Sequence, residues 1–360
     1  MSRNSPRDIA PDLDAAVEAG VLDRDSGQRL LAFLQTRGSA QAIAASADEE
    51  QLRLITGFND IFVTIGLALF LGALSFMLTQ YGSAASAAAC AAASWLLAEF
   101  FTRKKRMALP SIVLLLVFVI SVMLSCYALL GGARGLTSLV GIPDKDSVAV
   151  IISALAAAAA AAAHWFRFQV PITVAAGFGA AGIMVIAVVA SISPGLVSDY
   201  SALVFIPIGL AAFALAMRFD MSDRQRLTRR TDIAFWLHLL AAPIIVHPLI
   251  VSLGLSGQQG PGEAVTILVI FGILCLVALV IDRRAVLVSS LGYLAYAAFA
   301  LTSAAGWALG SAFGILLVGT LVLLLSAAWR PLRDMVLRMV PDAIAARVPP
   351  AAALSEKAMS

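Results

Sequence analysis

The stretch EFFTRKKRMALPSIVLLLVFVISVMLSCYALL, residues 99–130, holds the two features that decide the fold. Four consecutive cations, Arg103, Lys104, Lys105 and Arg106, are followed at once by a long uncharged apolar run from Ala108 onward. About 20 such residues, rising 1.5 Å each along a helix, match a hydrocarbon core about 30 Å thick. Lys and Arg beside the run mark the side of the membrane on which the loop is retained.

The same pattern recurs on both sides of this stretch. Spans are expected over 58–79, 83–101, 108–132, 147–164, 170–193, 200–217, 233–254, 263–281, 285–304 and 307–329. They must be helices, because hydrocarbon offers no partner to a backbone N–H or C=O, and the runs lack the alternation of barrel strands. With the N-terminus inside, 23 of the 25 Lys and Arg residues fall on the cytoplasmic side, and only Arg134 and Lys145 lie outside. Miscounting the spans by one would move several basic clusters to the wrong side, so count and orientation support each other.

The expected fold is therefore an all-α integral membrane protein, a bundle of about ten transmembrane helices behind a short cytoplasmic helical segment. Its parts are a cytoplasmic segment over 1–57, the membrane domain over 58–329 and a cytoplasmic tail over 330–360. A bacterial inner-membrane location follows, with both termini in the cytoplasm. The first run begins near Phe58 behind a polar segment without an apolar leader core, so the first span is expected to act as an uncleaved anchor. Composition agrees: 61% of residues are hydrophobic and 13% charged, about half the charged fraction of a soluble domain. The mean hydropathy is +0.93. A net charge of +3, lodged beside spans, is not a nucleic-acid signal. Cys90, Cys126 and Cys275 sit inside apolar runs and read as small hydrophobes rather than as a disulfide framework.

Small residues predict close helix packing. The fourth span carries eight consecutive alanines, Ala156 to Ala163, and belongs in the middle of the bundle. Gly177 and Ala181 form a small pair in the fifth span. Gly306, Gly310 and Gly314 form a glycine ridge, either a seam for a homo-oligomer or ordinary packing within the chain.

In the N-terminal segment, Ile9, Leu13, Ala16 and Val17 fall on one face of a short helix, with Gly20 as its C-cap. Asp25 and Gln28 are spaced as a capping box for a second helix bearing Leu30, Leu31, Phe33 and Leu34. A third helix is expected from Ser46 towards Gly57. The stretch AAVEAGVLDRDSGQRLLAFLQ, residues 15–35, resembles an uncharacterised bacterial family, domain of unknown function 2157, whose members open with such a helical pair before a polytopic domain. That resemblance implies an architecture and no activity. The pair has too little apolar surface to stand alone, so residues 9–35 are expected to dock on a cytoplasmic partner.

Polar groups at membrane depth are the candidate functional residues. The seventh span contains His238, Pro243, His247 and Pro248. Each proline removes a backbone donor and is expected to kink or break the helix, opening a cavity to which His247 is presented. Nine residues place the two imidazoles on opposite faces, about 13 Å apart, which argues against a shared metal. Two roles stay open to them: structural hydrogen bonding, or proton relay and substrate contact. Asp60 and Glu99 should lie at similar depth in neighbouring antiparallel spans, either sharing a proton or solvated beside Arg103 to Arg106. Asp232 and Asp282 read as loop-edge charges, and the span serines as bonding to their own helices. No hydrolase elbow, zinc helix, P-loop or dinucleotide fingerprint occurs, so neither an enzyme nor a cofactor or metal is expected. Two functions remain: a membrane protein with a small cytoplasmic sensing or docking module, and a small-molecule carrier resembling the drug/metabolite transporters in topology. The carrier is disfavoured because the prolines of the seventh span have no counterpart in the second, as inverted repeats would require.

Overall fold

The computed structural model describes residues 17–33, 58–132, 147–223, 226, 228–255, 261–304, 310–345 and 347–349. The chain divides into two compact units, Met1–Gln51 and Leu52–Ser360. The expected helix carrying Ile9 and Leu13, and that from Ser46 to Gly57, lie outside the described residues.

In the first unit, Gly20 adopts φ +70° and its N–H bonds to Val17 O at 3.1 Å, the turn expected of it. A helix over 24–33 follows. Its cap is Asp23 rather than Asp25: Oδ1 of Asp23 accepts from the N–H groups of Asp25 (2.8 Å) and Ser26 (3.0 Å). Asp25 sits in the first turn instead and pairs with Arg29 one turn on.

The second unit is built from long apolar helices: α1 (Phe58–Leu78), α2 (Ser83–Ala98), α3 (Ala108–Leu129), α4 (Ser147–Phe168), α5 (Ile172–Ile192), α6 (Ser201–Ser222), α7 (Arg229–Ser252) and α8 (Pro261–Ile281). Among the described residues, which include no strand, these eight helices are long and apolar enough to cross a membrane. After them come α9 (Leu291–Ala304), α10 (Gly310–Ala327) and α11 (Trp329–Leu337).

The last two expected spans differ from expectation. The run 285–304 is broken: a short helix, Ala285–Val288, ends at a turn before α9 begins. The reason is local. The hydroxyls of Ser289 and Ser290 bond back to Val286 O and Leu287 O, offering those carbonyls an alternative to the helical ladder. The chain after α10 is not a simple tail: α11 bends by 68° from α10, and its Trp329, Arg333 and Val336 face inward.

Consecutive helices from α1 to α7 pack on one another, as do α8, α9 and α10, and α7 lies against both α6 and α5. The alanine-rich α4 lies between α3 and α5, where Ala154, Ala157 and Ala161 are fully buried. A Cβ placed on Gly177 would meet Ala161 Cβ at 3.5 Å, an ordinary contact that shows how closely α4 and α5 approach. The α6–α7 crossing is tighter. A Cβ on Gly209 would stand 2.5 Å from Ile245 Cγ1 and 3.2 Å from the Ile245 backbone nitrogen. Gly314 similarly approaches Ala298 and Thr302 of α9, so this member of the glycine ridge packs within the chain. Gly306 lies outside the described residues.

Helix α7 runs without interruption through Pro243 and Pro248, where a break was expected. More of it is buried inside the bundle than of any other long helix; Pro248 is packed in the interior, and Pro243 stands on the exposed face. Among the described residues serines also depart from expectation in two places: Ser125 Oγ reaches Ala84 O of α2 at 3.1 Å and Ser86 Oγ of α2 reaches Ser75 O of α1 at 2.8 Å, whereas Ser153 bonds its own helix.

Gly209→Ala is expected to destabilise the bundle by about 1–3 kcal/mol by overpacking the α6–α7 crossing. Gly72→Ala, whose added Cβ meets nothing within 4 Å, should stabilise by up to about 1 kcal/mol. Unfolding of the purified variants in denaturing detergent checks both.

Candidate functional site

One end of the bundle gathers the connections α2–α3, α4–α5, α6–α7 and α8–α9, and side chains tie them together. Glu99, in a π-helical turn over Glu99–Lys104, accepts from Arg167 Nε (2.7 Å) and Nη2 (3.0 Å) and from Arg103 (3.3 Å). Arg229 Nη1 donates to Gln169 Oε1 at 2.7 Å. Arg226 pairs with Asp282 at 3.0 Å.

A cavity of about 490 Å³ opens among the first three of these connections. Its polar lining includes Arg103, Arg106, Arg167 and Arg229, and its apolar lining Met107, Ile112, Phe168, Val170 and Trp236. Four guanidiniums there face two carboxylates, Asp232 in the lining and Glu99 behind it, which leaves a surplus of positive charge. The first turns of α3 and α7 and the residues leading into α5 also line it, so three helices bring their positive ends to the same space. Guanidinium forks suit planar or tetrahedral oxyanions, and in a partly enclosed site each such bond is stronger than in water. The arrangement is built to bind an anion.

On the other side of α7 lies a buried ion network. The residues Arg229, Asp232 and Trp236 turn to the cavity, while Thr231 and His238 turn to the network. His238 is fully buried, and its Nε2 donates to Asp220 Oδ2 at 2.9 Å. Arg283, also without exposed surface, donates through both Nε and Nη2 to the Asp220 carboxylate, and through Nη2 to Thr231 O at 3.2 Å. Asp223 accepts from the Thr228 N–H (2.8 Å) and hydroxyl (2.6 Å) and from the Thr231 hydroxyl (3.0 Å), fixing the start of α7. Asp282 accepts from the Trp329 indole at 2.8 Å and lies 3.6 Å from Arg333, docking α11. Asp282 and Arg283 are thus interior groups rather than loop-edge charges.

Burial raises the Asp282 carboxyl, but Arg226, Arg333, the Trp329 N–H and Arg283 outweigh it and hold it below the usual carboxylate range. A depressed carboxylate stabilises the fold fully above its unfolded pKa and stops doing so as pH falls through the folded one.

The residues singled out in the sequence are dispersed. His247 is exposed on the bundle surface and shares a hydrogen bond with the Tyr293 hydroxyl of α9; neither it nor Pro243, Pro248 or His238 lines the cavity. Asp60 is buried in the first turn of α1, whereas Glu99 is engaged by Arg167 and Arg103. Among the described residues no cluster of His, Cys, Asp and Glu could hold a metal, and all three cysteines are free. The sequence analysis passed over His164. It is fully buried among Trp95, Phe118 and Phe168, its Nδ1 is 3.4 Å from Thr173 Oγ1, and its Nε2 meets no partner among the described residues. The cavity arginines carried a signal, since each lies in a short connection, but in the sequence that signal reads as topology alone.

No protein family, curated protein or solved structure matches this chain.

Arg283→Met is expected to cost about 3–5 kcal/mol, because it strands the buried Asp220 carboxylate, whereas Asp220→Leu with Arg283→Met should recover most of the loss. Denaturation in a double-mutant cycle measures this. His238→Ala should destabilise more than His247→Ala in the same assay, since it opens a cavity in the interior. Helix α11 should stay docked at about pH 5 and come loose only in stronger acid, read as protease sensitivity of the chain after Ala327. Asp282→Asn should remove that acid dependence.

Proposed function

We propose that this chain is a multi-pass protein of the bacterial inner membrane, with both termini in the cytoplasm, that binds a phosphate-bearing anion at its cytoplasmic face. The four-arginine cavity is the observation that carries the reading. The orientation rests on the distribution of Lys and Arg, because the bundle end where the connections meet is also the basic end. The α9–α10 pair leaves that end and comes back to it, since α11 is bonded to Asp282 there. That return supports placing the start of α1 and α11 on one side, whether α9 and α10 complete the ten spans or enter the membrane only partway.

Binding at one face is favoured over transport. The cavity lies at the helix ends rather than at mid-depth, and the proline-bearing span that a carrier would use to open a path is continuous. A sensing or docking role for the N-terminal helical pair is compatible with this reading, with Val21 and Leu30 exposed.

Two measurements test it. Reporter fusions near residues 105, 225, 284 and 345 should read as cytoplasmic, and fusions near 80, 197 and 258 as extracytoplasmic; an extracytoplasmic signal from the 218–232 connection overturns the orientation. Inorganic pyrophosphate should raise the Tm of the detergent-purified protein, by as much as about 2.7 kcal/mol of stabilisation at a hundredfold excess over Kd. Added salt should weaken the effect. An unchanged Tm, or one that shifts equally in Arg106→Gly/Arg229→Gln, refutes the anion site.

A further inference from the structure

Among the described residues four other than glycine hold left-handed backbone, and all four lie in the connections at the basic end: Arg106 (φ 53°), Gln169 (φ 54°), Arg226 (φ 56°) and Asp282 (φ 57°). The described connections at the opposite end place glycine in such turns, at Gly82, Gly131 and Gly254. The closures are alike: Arg283 N–H reaches back to Ala278 O around Asp282, as Leu255 N–H reaches Ile250 O around Gly254. Glycine would therefore serve at the basic end too, and each larger residue there retains a backbone strain that glycine would not.

Three of the four offset that strain inside the protein. Gln169 holds Arg229, while Arg226 and Asp282 hold each other. Arg106 is different. It is exposed, it lines the cavity, and it makes no hydrogen bond or ion pair among the described residues. A strained arginine without a partner among the described residues, set in the lining of a basic cavity, is a group held ready for an outside anion.

The cavity also says what kind of anion. About 490 Å³ is the volume of a site for a drug-sized molecule rather than a bare oxyanion. Its lining is divided, with guanidiniums alongside a wall of Met107, Ile112, Val170 and Trp236 that a small phosphate would leave wet. It stands where helices of membrane-spanning length end, which is the depth at which a bilayer places its phosphates, and basic pockets between spans suit anionic headgroups there. We infer that the cavity seats an anionic phospholipid of the cytoplasmic leaflet, its phosphate at Arg106 and Arg229 and its glycerol and upper acyl portion against Met107, Ile112 and Trp236. This deepens, and rests on, the reading that the cavity binds a phosphate-bearing anion.

The test uses the full chain in nanodiscs of phosphatidylcholine doped with phosphatidylglycerol or with cardiolipin, and native mass spectrometry counts the lipids retained. Wild type should keep the anionic lipid in preference to phosphatidylcholine. Arg106→Gly should weaken that retention about tenfold, the value of one charge-assisted contact of about 1.4 kcal/mol. Its Tm in plain phosphatidylcholine should be equal to or above that of wild type, because glycine relieves the left-handed strain. Arg106→Asn, which also tolerates this backbone, should reproduce the loss. Equal retention of anionic and zwitterionic lipid by wild type overturns the lipid assignment, and so does undiminished retention in both variants. If pyrophosphate still raises the Tm of wild type in that case, the anion site stands and its ligand is a soluble phosphate compound. If it does not, both readings fall together.

Discussion

Arg283 has no solvent-exposed surface, yet it carries a full charge at the meeting of α6, α7 and the start of α9, answered by the Asp220 carboxylate and the Thr231 carbonyl. Removing a charge from water costs several kcal/mol per ion, and attraction to a partner repays it only with good geometry and every donor used. The pair is therefore less a source of stability than a demand on the structure. It requires α6 to end within reach of the α8–α9 connection, and His238 of α7 to close the remaining side of Asp220. Asp282, its neighbour in the chain, extends the requirement to Arg226 and, through Trp329 and Arg333, to α11. The second half of the bundle brings all of these groups together, with His238 Nδ1, Arg226 Nε and Arg333 Nε left without a hydrogen bond among the described residues.

The two ends of the bundle solve the same geometrical problem differently. At each helix exit the chain must reverse, and left-handed backbone after the last helical turn is the usual means. Where the reversal has no other task the residue is glycine, as at Gly131 and Gly254. At the basic end the same conformation is imposed on Arg106, Gln169 and Asp282; the side chains of Gln169 and Asp282 cross to neighbouring connections, and that of Arg106 lines the cavity. Backbone strain and polar cross-linking are thus concentrated together around the cavity, the pattern found where a protein holds side chains ready for a ligand.

Packing inside the bundle relies on small residues rather than on large complementary ones. In lipid there is little hydrophobic gain from bringing two apolar helices together, so close backbone approach and dispersion must supply the attraction. The alanines of α4 against Gly177, Gly209 against Ile245 and Gly314 against Ala298 are places where that approach is close. α7 lies against both α5 and α6 and carries two prolines without breaking, Pro248 buried among its neighbours and Pro243 on the exposed face.

The sequence by itself determined that the chain is helical and carries repeated runs long and apolar enough to cross a membrane, because the length and apolarity of a run respond to bilayer thickness and need no knowledge of neighbours. The alternation of basic connections is legible for the same reason, and so are the alanine and glycine contacts of α4, α5 and α10. Only the tertiary structure decided which polar groups meet. Asp220, His238 and Arg283 are separated by 18 and 45 residues, and no local spacing links them. Arg103, Arg106, Arg167 and Arg229 come from three connections that adjoin only when α3, α5 and α7 pack side by side. The same blindness runs in the other direction for His247: proline and histidine in an apolar run read as a cavity, whereas the fold turns that imidazole outward to Tyr293. Span formation is a property of one segment in its solvent, but a binding site is a property of helix ends brought together, and their azimuths are set by packing.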